Sequence, residues 1–193
     1  MSKRRAMPSA HLDPLRREIE QRKVAPAPAP WQLKAQLTIA GLLEVGFDDD
    51  NELLLVASSS GRSVIDCQSG AKVARDRTDN LGSDRHLQTR GIGPLQERVI
   101  RMSGINGGGL PLATADGWMV EDITLAWPEQ HLLLIEPGSW LHGARYNRPA
   151  LFHKLAVELE VRAFGFSYTG LSLVIATAGE LLVYGRCAKT LEI

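Results

Sequence analysis

Two stretches of this chain are near copies of each other. "VGFDDDNELLLVASSSGRSVIDC" at 45–67 lines up with "FGFSYTGLSLVIATAGELLVYGR" at 164–186. Gly46-Phe47 matches Gly165-Phe166 at a spacing of 119. After a one-residue gap, Leu53, Leu55, Val56 and Gly61 match Leu171, Leu173, Val174 and Gly179 at a spacing of 118, and Val64-Ile65 then matches Leu182-Val183. A fainter third copy, "LAWPEQHLLLIEPG", puts Trp127 in the place of Phe47. The anchors Phe47, Trp127 and Phe166 lie 80 and 39 residues apart, near multiples of about 40. Each copy reads the same way. An aromatic ends one strand, a polar turn reverses the chain, an apolar strand returns, and a second turn leads to a third strand. Such a unit cannot bury its apolar face alone and needs a stacked neighbour.

Other segments agree. "HLLLIEPG" is a short apolar run stopped by Pro and Gly, and "WMVEDITLAW" reads as a strand entered from the Asp116-Gly117 turn. The alternation is imperfect, so some strands are covered on both faces. "RPALFHKLAVELEVRAFGF" fits a helix through Leu151, Leu155, Ala156 and Leu159. It fits a strand through Val157, Leu159 and Val161, and its second half is read as strand. The prediction is an all-β body at 31–193 made of antiparallel hairpin repeats. It is either a small or incomplete propeller-like array or a two-sheet sandwich.

Residues 1–30 differ. They hold seven basic and three acidic residues in a chain whose 22 of each cancel overall. Asp13-Pro14 suits the N-cap and first position of a short helix, "DPLRREIEQRK", with Leu15 and Ile19 as a thin apolar stripe. "APAPAP" at 25–30 is an extended linker. A helix this short is marginal alone. The segment docks on its own body, binds a partner, or hangs loosely, and the last is favoured.

The repeat motif, "GF(S/D)…LLLV…SG…V(I/Y)D", resembles the blades of WD-repeat and related β-propeller proteins over 45–66, 125–138 and 164–186, under half of the body. The resemblance implies stacked hairpin blades with loops available for partners. The chain departs from the pattern in two ways. It has room for about four blades, and Asp66 holds the closing Asp position without its Trp. The Gly-Gly-Gly-Leu-Pro and Asp-Gly-Trp elements are similar to those of uncharacterised bacterial proteins, which implies no activity.

The loop "GINGGGLPLATADGW" at 104–118 is the most unusual local feature. A phosphate-binding P-loop needs a lysine after its glycines, and none occurs between Lys72 and Lys154. A dinucleotide fingerprint needs a βαβ unit, and this loop breaks helices. Close backbone approach or a binding loop on a β scaffold remains. Trp118, Trp127 and Trp140 are expected in core or inter-sheet packing, and an exposed one would be an interface anchor. The candidate partner-binding residues are Asn106, Gly107, Gly108, Gly109, Asp116, Trp118, Trp140, His142 and Arg145.

No catalytic or metal pattern emerges. Asp48-Asp49-Asp50-Asn51 lacks the spacing of a calcium loop and falls where the repeat requires a turn. His11, His86, His131, His142 and His153 show no metal spacing. Ser58-Ser59-Ser60-Gly61 is no nucleophile elbow. "ARDRTDN" at 74–80 reads as solvated ion pairs. Glu121 and Asp122 are adjacent in a strand and point to opposite faces. Cys67 and Cys187 are expected as separate reduced thiols. No signal segment or membrane span is seen, so the expectation is cytoplasmic, with no cofactor and no membrane or nucleic-acid partner. The leading reading is a non-enzymatic protein-binding module, of bacterial immunity or adaptor type. The alternative is a small-molecule or carbohydrate-processing enzyme with Asp116, Trp118, His142 and Arg145 around the glycine loop.

Overall fold

The computed structural model describes residues 12–77, 82–148 and 150–187, apart from the side chains of Ala144 and Arg145. Among them, one α-helix, α1 (Asp13–Gln21), is followed by fourteen strands and two short 3-10 turns. These are β1 (Gln32–Thr38), β2 (Leu42–Phe47), β3 (Leu53–Ser58), β4 (Gly61–Asp66), β5 (Ala71–Asp76), β6 (Gln88–Arg90), β7 (Val99–Arg101) and β8 (Ser103–Gly104). They continue as β9 (Met119–Ala126), β10 (Glu129–Ile135), β11 (Phe152–Glu158), β12 (Val161–Phe166), β13 (Ser172–Thr177) and β14 (Glu180–Gly185). They form four antiparallel sheets, ordered β5-β4-β3-β2-β8, β1-β14-β13-β12, β11-β10-β9 and β6-β7. The all-β expectation with an N-terminal helix holds, and among the described residues no sheet closes into a barrel. No helix among the described residues is long and apolar enough to cross a membrane.

The central strands show why the alternation is imperfect. In β13, Val174 and Ala176 pack into one core with Leu54 and Val56 of β3. Leu173 and Ile175 face the other way, onto Leu132 and Leu134 of β10 and Trp31. Leu55 and Ala57 of β3 turn to Leu95, Ile100 and Met102. Leu133 and Ile135 of β10 turn to Ile19 of α1. The sheets are therefore stacked, and each central strand is apolar on both faces because each face belongs to a different core.

The two strongest hairpins share one register. Phe47 faces Leu54 and Phe166 faces Leu173, while Leu54 faces Ile65 and Leu173 faces Tyr184. Every one of these equivalences has an offset of 119, so the ladders need no gap. The third stretch differs. Phe47 ends a buried strand, whereas Trp127 sits on the turn between β9 and β10 and is 85% exposed.

Helix α1 is docked, not loose. Asp13 is its first residue rather than its cap, and Pro14 follows. Ile19 is buried among Leu133, Ile135, Leu141 and Phe152, with Leu15 beside it. Arg22 donates to the Phe152 carbonyl and lies 4.1 Å over that ring. Ala25 N–H donates to Lys154 O at 3.0 Å. The chain thus runs along the edge strand β11 and satisfies carbonyls that an open edge would present. The ambiguous 148–166 segment is strand in both halves, and the Leu151 and Leu159 that suggested a helix are exposed.

Candidate functional site

The glycine loop is shaped by what it crosses. Gly104 and Gly107 exchange two backbone hydrogen bonds of 2.9 Å, which closes a tight turn around Ile105-Asn106. Asn106 Nδ2 donates to Glu44 Oε1 at 2.9 Å. Ser83 completes the shell of this fully buried carboxylate through its N–H (2.7 Å) and hydroxyl (2.8 Å). Asn106 is thus committed to a buried acid that sequence reasoning missed, since Glu44 lies in an otherwise apolar strand. Gly107 and Gly108 have φ of +106° and +86°. A Cβ on Gly108 would lie 2.4 Å from Met102 O, whereas Gly109 has an ordinary φ and open space. Beyond them Leu110 enters the core and Pro111 O accepts Phe166 N–H at 2.8 Å.

Beside Gly108 and Gly109 is a pocket of about 240 Å3, below the usual size of a ligand site. Asp122 and Gln130 in its wall bond to each other at 2.7 Å, and burial holds the Asp122 carboxyl above its usual range.

The Asp-Gly-Trp turn is internal architecture. Thr114 Oγ1 donates to Asp116 at 2.7 Å and accepts Trp118 N–H at 3.0 Å. Arg186 meets Asp116 with two further bonds and gives its Nε–H to Gly170 O at 2.9 Å. These hydrogen bonds from Arg186 hold the Asp116 carboxyl well below the usual carboxylate range. Trp118 is buried and meets Trp31 edge-on at 6.0 Å. Arg186 stacks over Trp31 at 4.7 Å.

Trp140 and His142 lie on the neighbouring surface. A Cβ on Gly117 would lie 3.4 Å from Pro137 Cβ, so the Asp-Gly-Trp turn backs the segment that carries them. Trp140 is 47% exposed and stacks on Tyr146, itself 64% exposed, at 5.9 Å. His142 meets Trp140 edge-on at 5.7 Å. Trp140 and Tyr146, together with Pro137, Ser139, Arg148 and the exposed Leu151, border an open pocket of about 460 Å3. The Arg145 side chain lies outside the described residues. The predicted residues therefore separate into three places: Asn106 and the glycines on β2 and β12, the buried Trp118 with the partly exposed Asp116 at the turn that Arg186 holds, and Trp140 with His142 on the neighbouring surface.

The remaining candidates are structural. Asp48 is buried, accepts Asn51 Nδ2 at 2.6 Å and, with Asp50, faces Arg98. Ser58 donates to Gly61 O at 2.9 Å inside its hairpin. Arg75 holds Ser60 and Ser63, and Arg62 pairs with Asp76. Asp79 and His11 lie outside the described residues. His153 meets Glu136 at 2.7 Å, and no three potential metal ligands cluster among the described residues. Cys67 is buried, Cys187 is exposed, and both are free.

No protein-family model matches this chain, and no curated protein matches it significantly.

Proposed function

We propose that this chain is a non-enzymatic protein-binding module, of adaptor or immunity type, that engages its partner through the Trp140–Tyr146 surface. The observation that carries the reading is the stacked, half-exposed Trp140 and Tyr146 beside Leu151. Large aromatics that stay partly wet yet stacked on each other supply contact area at low entropic cost, and Trp and Tyr dominate interface hot spots. The polar groups of the Asp-Gly-Trp turn favour binding over catalysis, because Arg186 and Thr114 consume the carboxylate an enzyme would need.

The scaffold suits the role. Pairing of β1 with β14 joins the two ends of the described body in one sheet, a feature in keeping with the propeller-like reading. Helix α1 covers the outer face of β9–β11 where a further sheet would otherwise pack, as the cap of an incomplete array does.

The test is affinity capture from the native host with the full chain and a Trp140→Ala/Tyr146→Ala variant of unchanged melting temperature. The expected result is a specific partner retained by the wild type and lost by about tenfold or more in the variant. Equal retention by both proteins would remove this surface from the proposal.

A further inference from the structure

A different end of the molecule carries a second exposed tryptophan. The turn between β9 and β10 lifts Trp127 to 85% exposure. Gln130 faces Glu158 across the ladder, so the β11–β12 turn with Leu159, 60% exposed, lies alongside. Ala178 N–H donates to Glu160 O at 3.2 Å, which brings the β13–β14 turn to the same end. Glu180 there stands close enough to Glu158 that burial, and then this neighbour, hold the Glu158 carboxyl above its usual range. Trp127 and Leu159 are thus set among Glu129, Glu158, Glu160 and Glu180. Among the described residues, two guanidinium groups make contacts at this end. Arg162 meets Glu160 at 3.4 Å, and Arg16 donates to Leu125 O at 3.2 Å.

We infer that this end is a second docking surface, and that its occupant is a protein presenting an apolar pocket rimmed by lysine or arginine. Trp127 is the knob, Leu159 widens the apolar contact, and the glutamates supply the charge that a basic rim complements. The same sign of charge disfavours nucleic acid and anionic membrane. The surface is independent of the Trp140 pocket, where the charged wall residue among the described ones is Arg148.

The experiment uses the full chain immobilised at low salt and exposed to native-host lysate, with three variants in parallel: Trp127→Ala, Glu129→Lys/Glu160→Lys, and Trp140→Ala/Tyr146→Ala. All the altered side chains are at exposed positions, and thermal melts check folding. Each captured protein is purified and titrated against all four chains. Support is a basic protein whose binding falls about tenfold or more with Trp127→Ala and with the charge reversal, weakens in salt, and survives the Trp140 change. The inference is overturned if no captured protein depends on Trp127, or if Trp127-dependent binding ignores the charge reversal. Trp127-dependent binding to phosphatidylserine vesicles would overturn it equally. Loss only in the Trp140 variant would leave the Proposed function standing and remove this one.

Discussion

Arg186 grips Asp116 through two parallel hydrogen bonds, Nη1 to Oδ2 and Nη2 to Oδ1, each of 2.7 Å. Arg186 is 7% exposed and Asp116 31%, so the acid keeps some contact with water. The pair fixes the Thr114–Trp118 turn, and that turn stands against Pro137, a wall of the Trp140 pocket. Removing the arginine leaves a partly hydrated carboxylate without the arginine's charge, and Arg186→Met should cost about 2 kcal/mol. Asp116→Asn should cost less, because the amide retains one acceptor. Urea denaturation of both single variants and the double variant should give a coupling above about 1 kcal/mol. The folded-state pKa of Asp116 is depressed, so its contribution is present above about pH 4 and fades as the pH falls below that. The Asp116→Asn variant should lose that part of the acid dependence.

Gly46 and Gly165 are the glycines of the matching Gly-Phe pairs, and each is crossed by a different segment. A Cβ on Gly46 would lie 2.2 Å from Arg101 O. On Gly165, with φ of +147°, it would lie 2.5 Å from Leu110 Cβ and 2.8 Å from Pro111 O. Gly46→Ala should therefore destabilise by about 2 kcal/mol or more, since a strand must move rather than a flexible side chain. Gly165→Ala adds backbone strain to the same clash and should cost at least as much. Chemical denaturation midpoints check both.

The Gly-Phe pair was legible in the sequence because it recurs, but the crossing segments 101 and 110–111 that require it lie far away along the chain. Similarity of residues also misplaced the rest of the hairpin. Matching Gly61 to Gly179 introduced a gap, yet the ladder puts Gly61 opposite Ser58 at its strand start, with φ of +111°. Turn length sets register, and the turns are equally long in both hairpins. Trp127 matched Phe47 as an aromatic, but a shorter turn left it on the tip rather than in the core. The docking of Ile19 was not legible, because nothing in a thin two-residue stripe names the sheet face that receives it. At the candidate site, Trp140 was readable as an aromatic in a loop. The use of Asp116 was not, because Arg186 is distant in sequence.

His131 and Lys154 share the sheet face under α1, and both are buried. Burial, and then Lys154, push the His131 imidazole below its ordinary value. Glu129, Asp122 and Glu20 act the other way. A base with a depressed folded pKa leaves the unfolded chain binding more protons. Its share of stability is full above about pH 6.5 and is lost as the pH falls toward the folded value. Stability should therefore decline on acidification just below pH 6.5, and His131→Gln should flatten that slope. Raised carboxyls at Glu121, Asp122 and Glu158 act in the opposite sense from about pH 4 upward, so the difference between wild type and variant is the quantity to read. Urea midpoints at several pH values provide it, and identical slopes in the two proteins would exclude His131 as the cause.

The three consecutive glycines make unequal demands, and an alanine scan should separate them. Gly108 has φ of +86° and would place a Cβ 2.4 Å from Met102 O, so Gly108→Ala should cost about 2 kcal/mol or more. Gly107 has φ of +106° but open space, so Gly107→Ala should cost only the backbone strain, about 1 kcal/mol. Gly109 has neither constraint, and Gly109→Ala should leave the melting temperature within about a degree or raise it slightly, because alanine lowers the entropy of the unfolded chain. The order Gly108, Gly107, Gly109 in thermal melts would establish that the loop is shaped by its crossing of Met102. A Gly109→Ala variant that kept its stability but lost partner capture would assign that one glycine to a ligand rather than to the fold.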